Sequence, residues 1–468
     1  MSTRDRELGP ASPRGRSAFR QALGLRDATA LVAGSMIGSG IFIVSAQMTR
    51  ELGSAGWLLV VWLAAGIMTV TAAWLYGELA ARFPHAGGQY VYLREAFGPL
   101  VGFLYGWTLF LVIQTGTIAA VAVAFARYTA VLLPAIDGVN LAPGLSAERA
   151  LAIALIAALT ALNCRGIEVG KAIQNVFTVA KIAALLALIA ACFALGYSAD
   201  VVRHNLAMAW TREGTALPLA GAIGSAMVGA LFSSDAWNNV TFAAEEVRRP
   251  EHTIPRALVG GTLLVVLLYL AANLGYLVVL PALGSPAGAG PLQHGIAHAE
   301  RDRVATAVME ALFGPVGVTT IAAAIVISTL GCVNGLVLSG ARVSYAMAGD
   351  GLFFGIAGRL SHTGTPAVAL VLQGVWASVL TLTGTYGELL DYVIFAALLF
   401  YVLTVSAIWR YPELLTPARR VAAVGYVVAA GAVMVDLLLV KPRFTWPGLL
   451  IVVSGVPVYG WWRRRMAS

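Results

Sequence analysis

Charge is scarce in this chain. Asp, Glu, Lys and Arg make up 12% of its 468 residues, while 59% are hydrophobic, a balance that excludes a soluble globular domain of this size. Cysteine is nearly absent: Cys164, Cys192 and Cys332 all lie in or beside apolar stretches, which excludes a disulfide framework and any thiolate metal spacing. The histidines His85, His204, His252, His294, His298 and His362 all fall in predicted loops, and no His-Glu-x-x-His pair occurs. No glycine-rich loop ends in Gly-Lys-Ser/Thr. Zinc hydrolases and phosphate-loop enzymes are therefore excluded, and neither a metal nor a cofactor is expected. No short apolar core with a cleavage site marks a signal peptide; residues 1–25 are polar and Arg-rich and read as a disordered cytoplasmic tail. The net charge of +8 sits in short loops between apolar runs, so it sets orientation and does not point to nucleic acid.

What remains is apolar length. Runs long enough to cross a bilayer recur along the chain, and the pattern predicts an all-α polytopic membrane protein with twelve spans. They lie near 26–50, 56–81, 99–134, 148–163, 171–196, 216–244, 255–281, 304–347, 366–384, 388–409, 419–440 and 445–462. The third and eighth exceed a bilayer's thickness and are expected to tilt or to carry interfacial turns. Placing the N-terminus inside leaves only Arg50, Arg127, Arg149, Arg203, Arg212, Arg301, Arg303, Lys441 and Arg443 on the outer side, with Lys181 in mid-span. That bias predicts both termini in the cytoplasm.

The first span is interrupted by Gly34-Ser35-Met36-Ile37-Gly38-Ser39-Gly40-Ile41-Phe42. Each glycine there costs about 1 kcal/mol of helix relative to Ala. Unwound backbone at membrane depth is tolerated only where protein or a wet cavity surrounds it. A helix restarting near Ser39 aims free N–H groups at an anion, and one ending near Met36 offers carbonyls to a cation. One break so built suits a zwitterion. Gly34 and Gly38 equally suit a GxxxG packing face. The sixth span is interrupted by Leu231-Phe232-Ser233-Ser234-Asp235-Ala236-Trp237-Asn238-Asn239, where Ser and Asp compete with helix for backbone partners. Two matching breaks five spans apart point to a transporter built on inverted repeats.

Lys181, in the fifth span, stands ten residues from Lys171, roughly 15 Å deep at about 1.5 Å per residue. That is too deep for easy snorkelling and marks a functional ammonium. Asp235 is the mid-span acid of the first eight segments; it either caps the second half of the broken helix or meets a cationic or polar group. Glu78, Glu245 and Glu246 lie near inner ends where water is expected. The inner loops 82–98 and 245–256 read as gating or structural connectors rather than substrate contacts, and the Gly- and Pro-rich loop 282–303 as a flexible lid or linker. Ser328 to Gly335 in the eighth span provides small and hydroxyl residues for close packing on the first.

At several independent points the chain resembles the amino acid/polyamine/organocation (APC) transporter superfamily, closest to its L-type amino acid transporter (LAT) branch. Gly34 to Phe42 looks like the first-helix motif of that family. Gly87-Gly88-Gln89-Tyr90-Val91-Tyr92 with Glu95-Ala96-Phe97-Gly98 is similar to its first inner loop. Phe232 through Asn238 followed by Glu245-Glu246 and Pro250 resembles its sixth helix, and Tyr411-Pro412-Glu413-Leu414 the loop after helix 10. The resemblance implies a LeuT-like fold: a first inverted repeat at 26–200, a second at 201–412, and two added helices within 413–468. It implies substrate carboxylate on the N–H groups around Ser39 and Gly40, and substrate amine on carbonyls near Met36, Ile37 and Gly38 and in the helix-6 break. Ser233, Asp235 and Asn238 are then candidate binding-site residues, Phe232 matches an aromatic gate, and Lys181 matches the lysine that replaces a coupling cation in sodium-independent members. Asp235 departs from the small residue of many neutral-substrate members, and either favours a basic substrate side chain or caps the helix.

Animal L-type members tether a glycoprotein subunit through a Cys in the outer loop after span 3. The loop Pro134 to Glu148 has none, so no disulfide-linked heavy subunit is expected. The resemblance implies a sodium-independent exchanger of neutral or cationic amino acids in a bacterial-type inner membrane, working by alternating access. Proton-coupled symport through Lys181, and a non-transporting sensor or channel, are the alternatives.

Overall fold

In the computed structural model, residues 19–383 and 386–467 are described, and they are mostly helical, with one short antiparallel hairpin (Asn140–Ala142 with Leu145–Ser146). The first span is two helices, α1 (Leu25–Met36) and α2 (Gly40–Leu52). α3 (Ala55–Arg82) follows Gly53, whose left-handed φ of 64° closes α2, and Ser54, whose hydroxyl accepts the Trp57 N–H. The inner loop carries α4 (Gln89–Phe97). The third span combines α5 (Pro99–Thr108), a π-turn at Leu109–Ile113 and α6 (Gln114–Leu132). Next come α7 (Ala147–Cys164), α8 (Ile167–Ala194) and the short α9 (Ala199–Ala207). The sixth span is α10 (Leu219–Ser233) and a four-residue α11 (Asn239–Phe242). α12 (Pro250–Val279), a turn α13 (Pro291–His294) and α14 (Val304–Gly349) precede α15 (Ala367–Thr383), α16 (Tyr386–Ala407), α17 (Pro417–Val440) and α18 (Pro442–Ala467).

Among the described residues, nine helical stretches are long and apolar enough to cross a membrane, and α10 and α15 are shorter apolar helices. The expected last span, 445–462, falls in α18, which is outside that set. The excess length of the eighth span has a local cause: Gly314, at φ 59°, and Pro315 bend α14. The outward faces carry what a bilayer needs. Val176, Val179, Leu186 and Phe193 of α8, and Val421, Val424, Val428, Val435 and Leu439 of α17, are exposed at helical spacing.

The core gathers around the first span. α1 packs on α12, α8 and α14, and α2 packs on α10. Several loops differ from their sequence reading. Residues 1–18 of the expected tail lie outside the described residues, but Leu23 pairs with Val247 as an isolated parallel bridge, and Phe19, Ala22 and Leu23 are buried. Glu246 is not solvated: it is 2% exposed and forms an ion pair with Arg342 of α14 at 2.9 Å. The connector 245–256 therefore holds an internal charge pair rather than a purely hydrated face. The loop 282–303 is packed rather than loose, since Ile296 and Ala297 are buried and Ile296 N–H donates to Pro281 O.

Candidate functional site

Both expected breaks are present, and they face each other. Helical geometry stops at Met36 and restarts at Gly40, with Ile37 at φ −74°, ψ 89°. In the sixth span it stops at Ser233, and Ala236 takes a left-handed φ of 64° before α11 begins. A non-glycine residue held there stores strain that the surroundings must offset. Gly40 stands so close to Ser233 that a methyl group on it would meet the Ser233 side chain and Cα. This contact explains glycine at position 40 better than flexibility does.

The carbonyl end of α1 is claimed almost residue by residue. Lys181 Nζ, 1% exposed, donates to Gly34 O at 2.8 Å and to Ile37 O at 2.7 Å. Ser328 Oγ of α14 donates to Ile37 O and Gly38 O, both at 3.2 Å. Cys332 Sγ lies 3.0 Å from Ser35 O. Tyr269 of α12 donates to Met36 O at 3.0 Å and to Ser233 O at 3.1 Å, joining the two breaks through one hydroxyl. A single hydroxyl proton cannot saturate two carbonyls, so acceptor capacity remains at both. Across the break, the first N–H groups of α2 have no acceptor within their own helix. One locus thus offers donors, and its neighbour offers acceptors.

The sequence-derived residues Met36, Ile37, Gly38, Ser39, Gly40, Phe232, Ser233, Asp235, Asn238 and Lys181 are all buried. Ser233 turns its hydroxyl back to Gly229 O of its own helix, 2.8 Å away. Asp235 does not cap α11; Asn238 holds the N-cap position and makes no side-chain cap bond. The Asp235 carboxylate instead accepts from Tyr401 of α16 at 2.5 Å. Asn238 donates to Gln89 Oε1 at 2.8 Å. Asp235 lies between two cavities, each about the size of one water molecule. One is lined by Gln89, Tyr105, Gln114, Thr117, Asn239 and Tyr401 among others, the second by Thr69, Trp237 and Tyr426 among others. Neither admits an amino acid side chain without movement of its walls. Tyr269 and Tyr401 sit in stretches whose local pattern is ordinary for their elements, so neither is legible as a site residue; Gln89 belongs to the inner-loop motif, whose reading as a gating or structural connector does not place it at the break.

Two unwound helices meeting at the centre of a multi-pass helical protein define the architecture of a secondary transporter. The comparison with known proteins specifies it. Residues 23–444 match the model of the amino acid permease family, "Amino acid permease", and the chain belongs to that family. It is an amino acid transporter of the APC superfamily, with the LeuT-like fold and not an enzyme, and its curated relatives are transporters of the L-type branch. It is 27% identical to the human b(0,+)-type amino acid transporter 1 over 95% of this chain and 88% of that one. It is 28% identical to the mouse Asc-type amino acid transporter 1, over 95% and 81% respectively. It is 29% identical to the mouse large neutral amino acids transporter small subunit 2, over 97% and 83%.

Proposed function

We propose that this transporter is a sodium-independent amino acid exchanger working by alternating access, with Lys181 as its built-in cation. The supporting observation is the position of the Lys181 ammonium on Gly34 O and Ile37 O, where α1 ends. A fixed positive charge there occupies carbonyls that would otherwise attract a dissolved cation. In this reading the substrate carboxylate meets the N–H groups at Ser39 and Gly40. Its ammonium shares Met36 O and Ser233 O with Tyr269, and Phe232 closes over it. Asp235 and Asn238 face the side chain; a buried carboxylate with a neutral hydroxyl partner favours substrates that bring donors, cationic ones foremost. The two five-helix repeats, 26–200 and 201–412, rock about this point. Both termini lie in the cytoplasm of a plasma membrane, and no disulfide-linked subunit is needed. The relative named as a small subunit carries its pairing in its own name only.

Counterflow in proteoliposomes tests this. Labelled amino acid should enter only when unlabelled amino acid is inside, equally in sodium and potassium media. Uptake into amino-acid-free vesicles driven by a pH gradient would replace exchange with proton symport.

A further inference from the structure

The inner loop contributes a side chain to the floor of the candidate site. Gln89, the first residue of α4, is fully buried. Its Oε1 accepts from Asn238 in the break of the sixth span at 2.8 Å, and its Nε2 donates to Thr404 of α16 at 3.0 Å. Two rungs therefore connect that break to α16. The outer rung is direct, Asp235 to Tyr401. The inner rung, three residues further along each strand of the ladder, is completed only by Gln89. An amide suits the place because it accepts on one side and donates on the other; an apolar residue would leave Asn238 and Thr404 facing each other unbridged. The loop is held for this purpose. Gly87 N–H donates to Phe242 O at 3.0 Å, and Gly88, at φ 45°, lies so close to Thr241 that no Cβ fits.

We propose that Gln89 is a positioning residue of the transport cycle, the inner plug of the substrate site: its amide clamps the sixth-span break to α16, and release toward the cytoplasm requires that clamp to part. The inference deepens the transport reading, and its test does not depend on turnover.

Cys332 supplies the reporter. A methyl group on Gly38 would stand 3.0 Å from its sulfur, so the thiol lies beside the first break. In a background with Cys164→Ala and Cys192→Ala, Cys332 is labelled by a membrane-impermeant methanethiosulfonate, in right-side-out and inside-out vesicles. Gln89→Leu should raise the rate from the cytoplasmic side roughly two- to tenfold, the net weight of about one neutral hydrogen bond, and lower the rate from the outer side. Thr404→Val should do the same in smaller measure, and adding it to Gln89→Leu should change little. Opposite signs on the two faces report a population shift. Equal acceleration on both faces would mean loosened packing, and unchanged rates would mean no clamp; either overturns the proposal. Failure of counterflow would sink the exchanger reading and leave this measurement intact.

Discussion

Replacing Lys181 tests the centre of the mechanism. The ammonium is 1% exposed and makes two charge-assisted hydrogen bonds of 2.8 and 2.7 Å to carbonyls with no intrahelical partner. Each such bond contributes roughly 1.5–3 kcal/mol, so Lys181→Ala removes on the order of 3–6 kcal/mol before relaxation. Ser328, already on Ile37 O, recovers part of this. Gly34 O has no comparable substitute, and a water admitted to the void brings no charge. If the bound, closed arrangement depends on that charge, counterflow should fall about a hundredfold or more, since each 1.36 kcal/mol is tenfold in rate. Lys181→Met, which keeps the stem and drops the charge, should fail nearly as badly, whereas a packing role would be largely rescued by it. The control is Arg203→Ala, because Arg203 is 77% exposed and paired only on its own helix with Asp200. Arg212 is a poor control, since its guanidinium holds Leu52 O and Leu217 O. Proteoliposomes carrying equal amounts of each protein give the comparison. Activity of Lys181→Met within threefold of Arg203→Ala would refute the assignment.

Other expectations follow from single contacts. Asp235→Asn should lower the competition of cationic against neutral amino acids by about tenfold, the scale of one charge-assisted bond; an unaltered competition profile would restrict Asp235 to its bond with Tyr401. Gly40→Ala should abolish counterflow while leaving membrane abundance intact, because its methyl enters the space of Ser233. Removing one partner of the buried Arg342–Glu246 pair should cost roughly 3–5 kcal/mol, read as a large loss of thermal stability in detergent, whereas Arg342→Met with Glu246→Leu should recover much of it. Single variants as stable as wild type would contradict the pairing. Leu23→Pro removes the N–H given to Glu246 O, and should raise labelling of Cys332 from the cytoplasmic side by no more than a few fold.

Much of this protein can be read from local chemistry. The spans show because apolar length is what a bilayer requires. The breaks show because Gly38, Gly40 and Ser234 to Asn238 are poor helix at a depth where backbone must be paired. Lys181 shows because its charge has no reason to be deep in an apolar run. Glu246 is the instructive miss. Its neighbours are charged and it adjoins a turn, so its own stretch reads as hydrated; its partner Arg342 lies 96 positions away, beyond the reach of any local pattern.

The same division holds at the site. Backbone irregularity is a property of a few consecutive residues, so the sequence alone determined where carbonyls and N–H groups come free in the membrane, and which charges lie among them. Partnership is a property of distance between helices that the chain order does not relate. Only the tertiary structure decided that Tyr269 joins Met36 to Ser233, that Tyr401 rather than a helix end receives Asp235, and that an amide from the inner loop closes the pocket. Freed backbone groups cannot stay unpaired in a medium without water, but which side chain reaches them depends on how the helices pack.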